Sequence, residues 1–232
     1  NQIKIQYSIS PKNLKVIYRG INTKIFNSKN VNQERIEQIK KQYSLESDSI
    51  KILLPGRLTR WKGHSVLVQA TAEVIKIIQK KIEVLFVGPD ENLGLKKRLK
   101  AQIEELNMTD MFRFIASSDE MTNIYALSDI VISSSTDPEA FGRIAVEAQS
   151  MGKFVIASNH GGSAETVIDN ETGYLYSPHS HEELADRIII SIEQNKYNSS
   201  DVSEAGIKNV QENYTVDGMC KETLEFYKRI IL

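Results

Sequence analysis

The sequence predicts a doubly wound α/β domain on a parallel sheet. Short apolar runs rich in β-branched residues recur at 50–54, 82–87, 112–115, 130–133, 154–157 and 173–176. Most are apolar throughout rather than alternating, as strands covered on both faces are. The stretches between them carry helical periodicity, and strand alternating with helix is the pattern of a parallel sheet wrapped by helices.

Each element has its own justification. Residues 1–49 are more polar and read as a lead-in packed on the domain edge, with 14–18 either a further strand or an extended connection. A helix over 65–80 puts Val66, Leu67, Ala70, Val74, Ile77 and Ile78 on one side. Another, over 93–106, mixes basic and acidic residues around Leu95, Leu99, Ile103 and Leu106. Ser117 and Glu120 have capping-box spacing before a helix at 121–127. A short helix over 144–151 is stopped by Gly152. The stretch 182–194 is amphipathic through Leu184, Ile188, Ile189 and Ile192, and helices at 200–213 and 216–231 close the chain. With no repeat and no internal linker, the 232 residues read as a single domain.

Composition narrows the function classes. At 41% hydrophobic and 25% charged residues there is enough apolar material for a core, which argues against disorder. Lys and Arg number 29 against 30 Asp and Glu, a net charge of −1. A general nucleic-acid binder would be basic, so none is expected, although a local basic pocket for a small anion remains open. The lone Cys220 leaves no internal disulfide and suits a reducing, cytoplasmic setting. No apolar run approaches the roughly 18 residues of a membrane span. The chain begins at Asn1 without a signal pattern, and the expectation is that its start has been cut away.

In open α/β sheets ligands sit outside the carboxyl ends of the strands, which selects the loops 55–64, 88–93, 116–118, 134–142 and 158–165. The first places Arg57, Arg60 and Lys62 between Gly56 and Gly63. It reads either as a solvated basic loop or as a phosphate grip, in which Arg offers a planar fork and Lys a point charge. Trp61 either stacks on a ligand or packs at the helix start. The loop 134–142 feeds a helix whose first-turn amides around Gly142, Arg143 and Ile144 would be free donors for an anion. Glu139 and Glu147, if joined by continuous helix, would lie roughly 12 Å apart along the axis. That separation exceeds the roughly 5–9.5 Å of paired glycosidase carboxylates and suits two ends of one long ligand. Alternatively, both are ordinary surface acids. Gly161-Gly162 with Glu165 forms a third strand-to-helix turn. His179 and His181 suggest no further metal ligand, and no Asp-x-Asp, G-x-G-x-x-G, Walker or nucleophile-elbow pattern is present.

Taken in order, these segments resemble the nucleotide-sugar-binding domain of GT-B glycosyltransferases of family 4, the retaining group 1 enzymes. The segment Val16-Ile-Tyr-Arg-Gly-Ile-Asn-Thr-Lys-Ile-Phe26 is similar to the family's N-G-I-D-x-x-x-F, and Gly56-Arg57 with Lys62-Gly63 to its G-R-L-x-x-x-K-G. Glu139 to Glu147 follows its E-x₇-E with Phe141-Gly142 between, Gly161-Gly162 and Glu165 its G-G-x-x-E, and Thr172-Gly173 its T-G. Asn22 and Arg19 stand where the family often has Asp and Asn.

The resemblance implies a six-stranded Rossmann-like sheet, the C-terminal half of a GT-B fold. It implies metal-independent, retaining transfer from a UDP- or GDP-type sugar, with no other cofactor. Arg57, Lys62 and Glu139 would carry the chemistry, the cations neutralising the diphosphate and Glu139 bonding sugar hydroxyls. Gly56, Phe141, Gly142, Arg143 and Ile144 would bind the donor, Glu147 the ribose, and the segment around Ile115 the base. It also implies an N-terminal acceptor domain as partner, with the helix at 216–231 packing on it. Membrane contact, at the inner face, would come through that half. The alternative is a non-catalytic nucleotide-sugar-binding or scaffolding module derived from such an enzyme.

Overall fold

The computed structural model describes residues 14–90 and 93–231. The six apolar runs are strands: β1 (Ile50–Pro55), β2 (Ile82–Val87), β3 (Phe112–Ile115), β4 (Ile130–Ser133), β5 (Phe154–Ser158) and β6 (Gly173–Tyr176). They form one sheet in the order β3-β2-β1-β4-β5-β6, every pairing parallel. Nearly every strand position is buried because helices cover both faces.

The helices are α1 (Gln33–Gln42), α2 (His64–Ile77), α3 (Leu93–Glu105), α4 (Met121–Leu127), α5 (Arg143–Ser150), α6 (Gly161–Thr166), α7 (His181–Glu193), α8 (Ser200–Asn213) and α9 (Val216–Ile231). Strand residues alternate between two cores. Ile50, Ile52, Leu54, Ile82, Val84 and Phe86 meet α2, α3 and α7 on one face. Leu53, Leu85, Val87, Val131 and Val155 meet α1, α4 and α5 on the other.

Three charged residues interrupt the apolar strands, Lys51 and Glu83 at the end of the sheet opposite the ligand edge and Arg113 in β3, whose guanidinium lies 3.6 Å from the Glu83 carboxylate. Lys51 and Glu83 are register partners and both are buried. Lys51 Nζ donates to the carbonyls of Glu46 (2.6 Å) and Ser49 (3.0 Å). Glu83 accepts from the Glu46 N–H and the Ser49 hydroxyl. Such partners are what a buried charge requires.

Several local expectations are corrected. The lead-in holds a full helix, α1, whose Asn32 side chain caps the Arg35 N–H and whose Arg35 donates from Nε and Nη2 to the two Glu120 carboxylate oxygens, each at 2.9 Å. Ser117 and Glu120 form no capping box, because the helix begins only at Met121. Glu120 is itself the N-cap of α4, makes no side-chain cap, and donates its own N–H to the Ser118 hydroxyl oxygen. Residues 14–20 carry no regular structure, and a single bridge joins Ile21 to Thr215. Helices α2 and α5 begin one residue earlier than expected, at His64 and Arg143, because left-handed glycines set their starts. In α9 no residue is buried, and Leu224, Tyr227, Ile230 and Ile231 are exposed. No helix of the described residues is long and apolar enough to cross a membrane.

Gly63 shows how tightly the ligand edge is drawn together. It ends the turn Arg60–Lys62 with φ of 71°, and a Cβ there would meet the Ser134 carbonyl oxygen at 1.8 Å. Gly63→Ala is therefore expected to lower unfolding free energy by roughly 2 kcal/mol, combining backbone strain with the displaced β4 loop. Urea titration checks this, and an unchanged midpoint contradicts it.

Candidate active site

The strand order reverses between β1 and β4, and the loops that follow these two strands diverge from that point. They are laced together by hydrogen bonds. The Ser134 hydroxyl donates to the carbonyls of Lys62 (3.1 Å) and Gly63 (3.2 Å), and the Thr136 N–H to the Trp61 carbonyl (2.7 Å). Above them lies a cavity of about 460 Å³, lined among others by Gly56, Arg57, Lys62, Glu139, Arg143 and Glu147.

Lys62 and Glu139, distant in sequence, form an ion pair of 2.6 Å whose side chains are only 11% and 10% exposed. The Ser135 hydroxyl donates to the same carboxylate oxygen. Lys62 Nζ also lies 4.4 Å from the centre of the Trp61 ring, so that ring carries an ammonium rather than standing free. Behind the pair, His160 Nε2 meets the Ser135 carbonyl at 2.8 Å.

The glycine pair serves close approach. Helix α6 presses on the 138–141 loop so tightly that a Cβ on Gly161 would lie 2.6 Å from the Glu139 carbonyl oxygen. One on Gly162 would lie 2.3 Å from the Phe141 carbonyl carbon. The Gly162 N–H donates to the Glu139 carbonyl at 2.7 Å.

Gly142, with φ of 73°, turns the chain into α5 at Arg143. Glu139 therefore precedes the helix, and the continuous-helix spacing to Glu147 does not apply. The Ala145 and Val146 N–H groups donate to the Gly142 carbonyl (3.0 and 3.3 Å), which leaves the Arg143 and Ile144 amides as the open donors of the first turn, where the helix dipole adds positive character. Glu147 is not a surface acid. Its side chain is 8% exposed, Arg143 Nε donates to one oxygen at 2.6 Å, and the Tyr125 hydroxyl donates to the other at 2.9 Å. Burial first, then the Glu147 charge, raises the Tyr125 phenol well above its ordinary value, so it stays a proton donor. The Glu147 charge likewise raises the Arg143 guanidinium.

The sequence-selected residues do not all converge. Gly56, Arg57, Lys62, Glu139, Arg143, Ile144 and Glu147 share the first cavity. Phe141 and Gly142 line a second cavity that continues past Glu139 and Glu147. The Ile115 side chain is buried in the core, and its carbonyl accepts the Gly88 N–H at 3.1 Å. Ser117, Ser118 and Met121 form the wall nearby instead. Residues 91 and 92 of the 88–93 loop lie outside the described residues. Tyr125, Ser135 and His160 were not singled out from the sequence. A tyrosine on the core face of a helix gives no local hint that its hydroxyl reaches a carboxylate 22 positions on. Among the described residues no group of three or more His, Cys, Asp or Glu is placed to hold a metal ion.

With this geometry in place, the chain can be set beside known proteins. The order of the sheet, with cations and a helix start gathered at its switch point, defines a doubly wound α/β domain. Residues 35–209 match the family model of the glycosyl transferases group 1, and the chain belongs to that family. A glycosyltransferase from Rickettsia africae superposes with a TM-score of 0.91 at 34% identity, covering 99% of this chain and 60% of that one. Anabaena HepE in complex with UDP superposes at 0.85 and 26% identity, covering 97% and 60%. The C-terminal domain of the group 1 protein LpcC from Francisella tularensis superposes at 0.72 and 27% identity, covering 85% of this chain and 100% of that domain. The chain spans about half the length of the curated relatives it matches, 54% of one and 42% of another.

One buried group at this edge has a measurable consequence for stability. His64, at the start of α2, is buried against Phe86 with ring centres 4.9 Å apart, and neither ring nitrogen has a hydrogen-bond partner. Burial, then the neighbouring Lys62 charge, lowers its pKa from 6.5 to about 3. The folded state thus refuses a proton that the unfolded chain accepts. The stability this contributes is fully present above pH 6.5 and is lost as pH falls toward about 3. Between pH 6.5 and 5 the loss is about 2 kcal/mol. Urea titrations at pH 7 and pH 5 should show it in the wild type and not in His64→Leu; equal slopes in both would contradict it.

Proposed function

We propose that this chain is the C-terminal, nucleotide-sugar-binding domain of a retaining GT-B glycosyltransferase of family 4. It holds a UDP- or GDP-type sugar, and the glycosyl unit passes to an acceptor carried by an N-terminal domain. The observation that carries this is the convergence of Arg57, Lys62 and the first-turn amides of α5 on one cavity, between two carboxylates. HepE, which shares the fold at 26% identity, was crystallised with UDP and with UDP-glucose.

The roles follow from the donors and acceptors present. A diphosphate in the first cavity meets Arg57, Lys62 and the α5 amides, the amides being set in place by the Gly142 turn before any ligand arrives. Such preorganised donors stabilise the charge that builds on the departing nucleotide. Lys62 exchanges Glu139 for phosphate when the donor enters. One Glu139 oxygen accepts both Lys62 and Ser135, which leaves its other oxygen to accept sugar hydroxyls. Glu147, held by Arg143 and Tyr125, keeps lone pairs for the ribose hydroxyls. The ion-paired cations supply the neutralisation, so the reading needs no metal. The exposed apolar residues of α9 pack on the N-terminal domain, and the whole enzyme works in the cytoplasm with any membrane contact made through that other domain.

Calorimetry with UDP and with GDP tests this. One of them should bind, and Arg57→Ala or Lys62→Ala should each weaken it about tenfold or more, as loss of a charge-assisted hydrogen bond does. Absence of binding by both nucleotides in a folded chain would overturn the proposal.

A further inference from the structure

The second cavity holds a cation that the donor diphosphate does not account for. This cavity measures about 710 Å³ and shares Arg57, Trp61, Glu139, Arg143 and Glu147 with the first. To these it adds Arg19, together with Asn22, Phe26 and Phe141. The acids on its wall are Glu139 and Glu147, and each already has a cation, Lys62 and Arg143 respectively. The Arg19 guanidinium has no hydrogen bond or ion pair with any described residue.

Its backbone, by contrast, is fixed. A Cβ on the adjacent Gly20 would lie 2.1 Å from the Thr215 carbonyl carbon, so only glycine permits the contact. Ile21 is bridged on both sides, its N–H donating to the Tyr214 carbonyl (2.8 Å) and its carbonyl accepting the Val216 N–H (3.1 Å). Arg19 thus hangs from an anchored segment over a roomy cavity. A cation placed this way is ready for an anion with little further ordering of the main chain. A neutral sugar would leave it only water.

We propose that Arg19 binds a carboxylate or phosphate on the unit that fills this second cavity, and so selects an anionic glycosyl group or an anionic acceptor. The proposal rests on the nucleotide-sugar reading of the neighbouring cavity. Arginine suits the task because its planar fork matches both anions through two parallel hydrogen bonds.

Calorimetry on the wild type, Arg19→Ala and Arg19→Lys distinguishes the two sources of the anion. The probes are UDP, UDP-glucose, UDP-glucuronate, and glucose 6-phosphate with and without UDP. If the anion rides on the donor, UDP-glucuronate binds the wild type about tenfold tighter than UDP-glucose, and Arg19→Ala closes the gap. If it rides on the acceptor, glucose 6-phosphate binds the wild type and loses about tenfold in Arg19→Ala. In either case UDP itself is unchanged, Arg19→Lys restores part of the loss, and the thermal midpoint stays where it was because Arg19 is exposed. The proposal is overturned if Arg19→Ala changes none of these affinities, or weakens UDP as much as the anionic probes. Should UDP fail to bind while glucose 6-phosphate still depends on Arg19, the nucleotide reading falls and the Arg19 site stands.

Discussion

The reversal of strand order between β1 and β4 is the constraint from which the rest of the site follows. On either side of it, consecutive connections run in opposite directions, so the loops after β1 and β4 part and leave a crevice. Everything chemically distinctive is mounted on its rim. Lys62 comes from one loop, Glu139 from the other, and Gly63 and Ser134 make the contact that holds the loops in register.

The two ion pairs show how charge is kept in place before a ligand arrives. Two carboxylates line a cavity with little water around them, an arrangement that costs free energy unless each charge is matched. Lys62 matches Glu139, and Arg143 with Tyr125 matches Glu147. On the proposed function, a diphosphate entering the crevice takes Lys62 from Glu139, and the negative charge it adds is met by Arg57 and the α5 amides. The helix amides of α5, fixed by the left-handed Gly142, meet it without moving. Glycines at 63, 142, 161 and 162 serve one purpose throughout, which is to bring backbone close enough to shape this crevice.

The sheet was legible in the sequence because strands buried on both faces are apolar at consecutive positions, as 50–54 and 82–87 largely are, with Lys51 and Glu83 held by local hydrogen bonds and Glu83 also by the Arg113 guanidinium. The helix starts were less so. Gly63 and Gly142 act as caps through tertiary contacts to Ser134 and Ser163, which no local pattern reveals. Helix α1 leaves little trace in the sequence, because only Ile36 and Ile39 of its ten residues are buried, too narrow a stripe to stand out among charges. At the site, Arg57, Lys62, Glu139 and Glu147 carried a readable pattern. Tyr125, Ser135 and His160 did not, since each acts through a partner brought near only by the fold.

The most direct measurement is a crystal structure of this chain with UDP bound. The diphosphate should lie between the Arg57–Lys62 loop and the first-turn amides of α5, with Lys62 withdrawn from Glu139 toward a phosphate oxygen. A nucleotide seated away from the β1–β4 crevice, or a diphosphate that leaves the Lys62–Glu139 pair intact, would contradict the assignment.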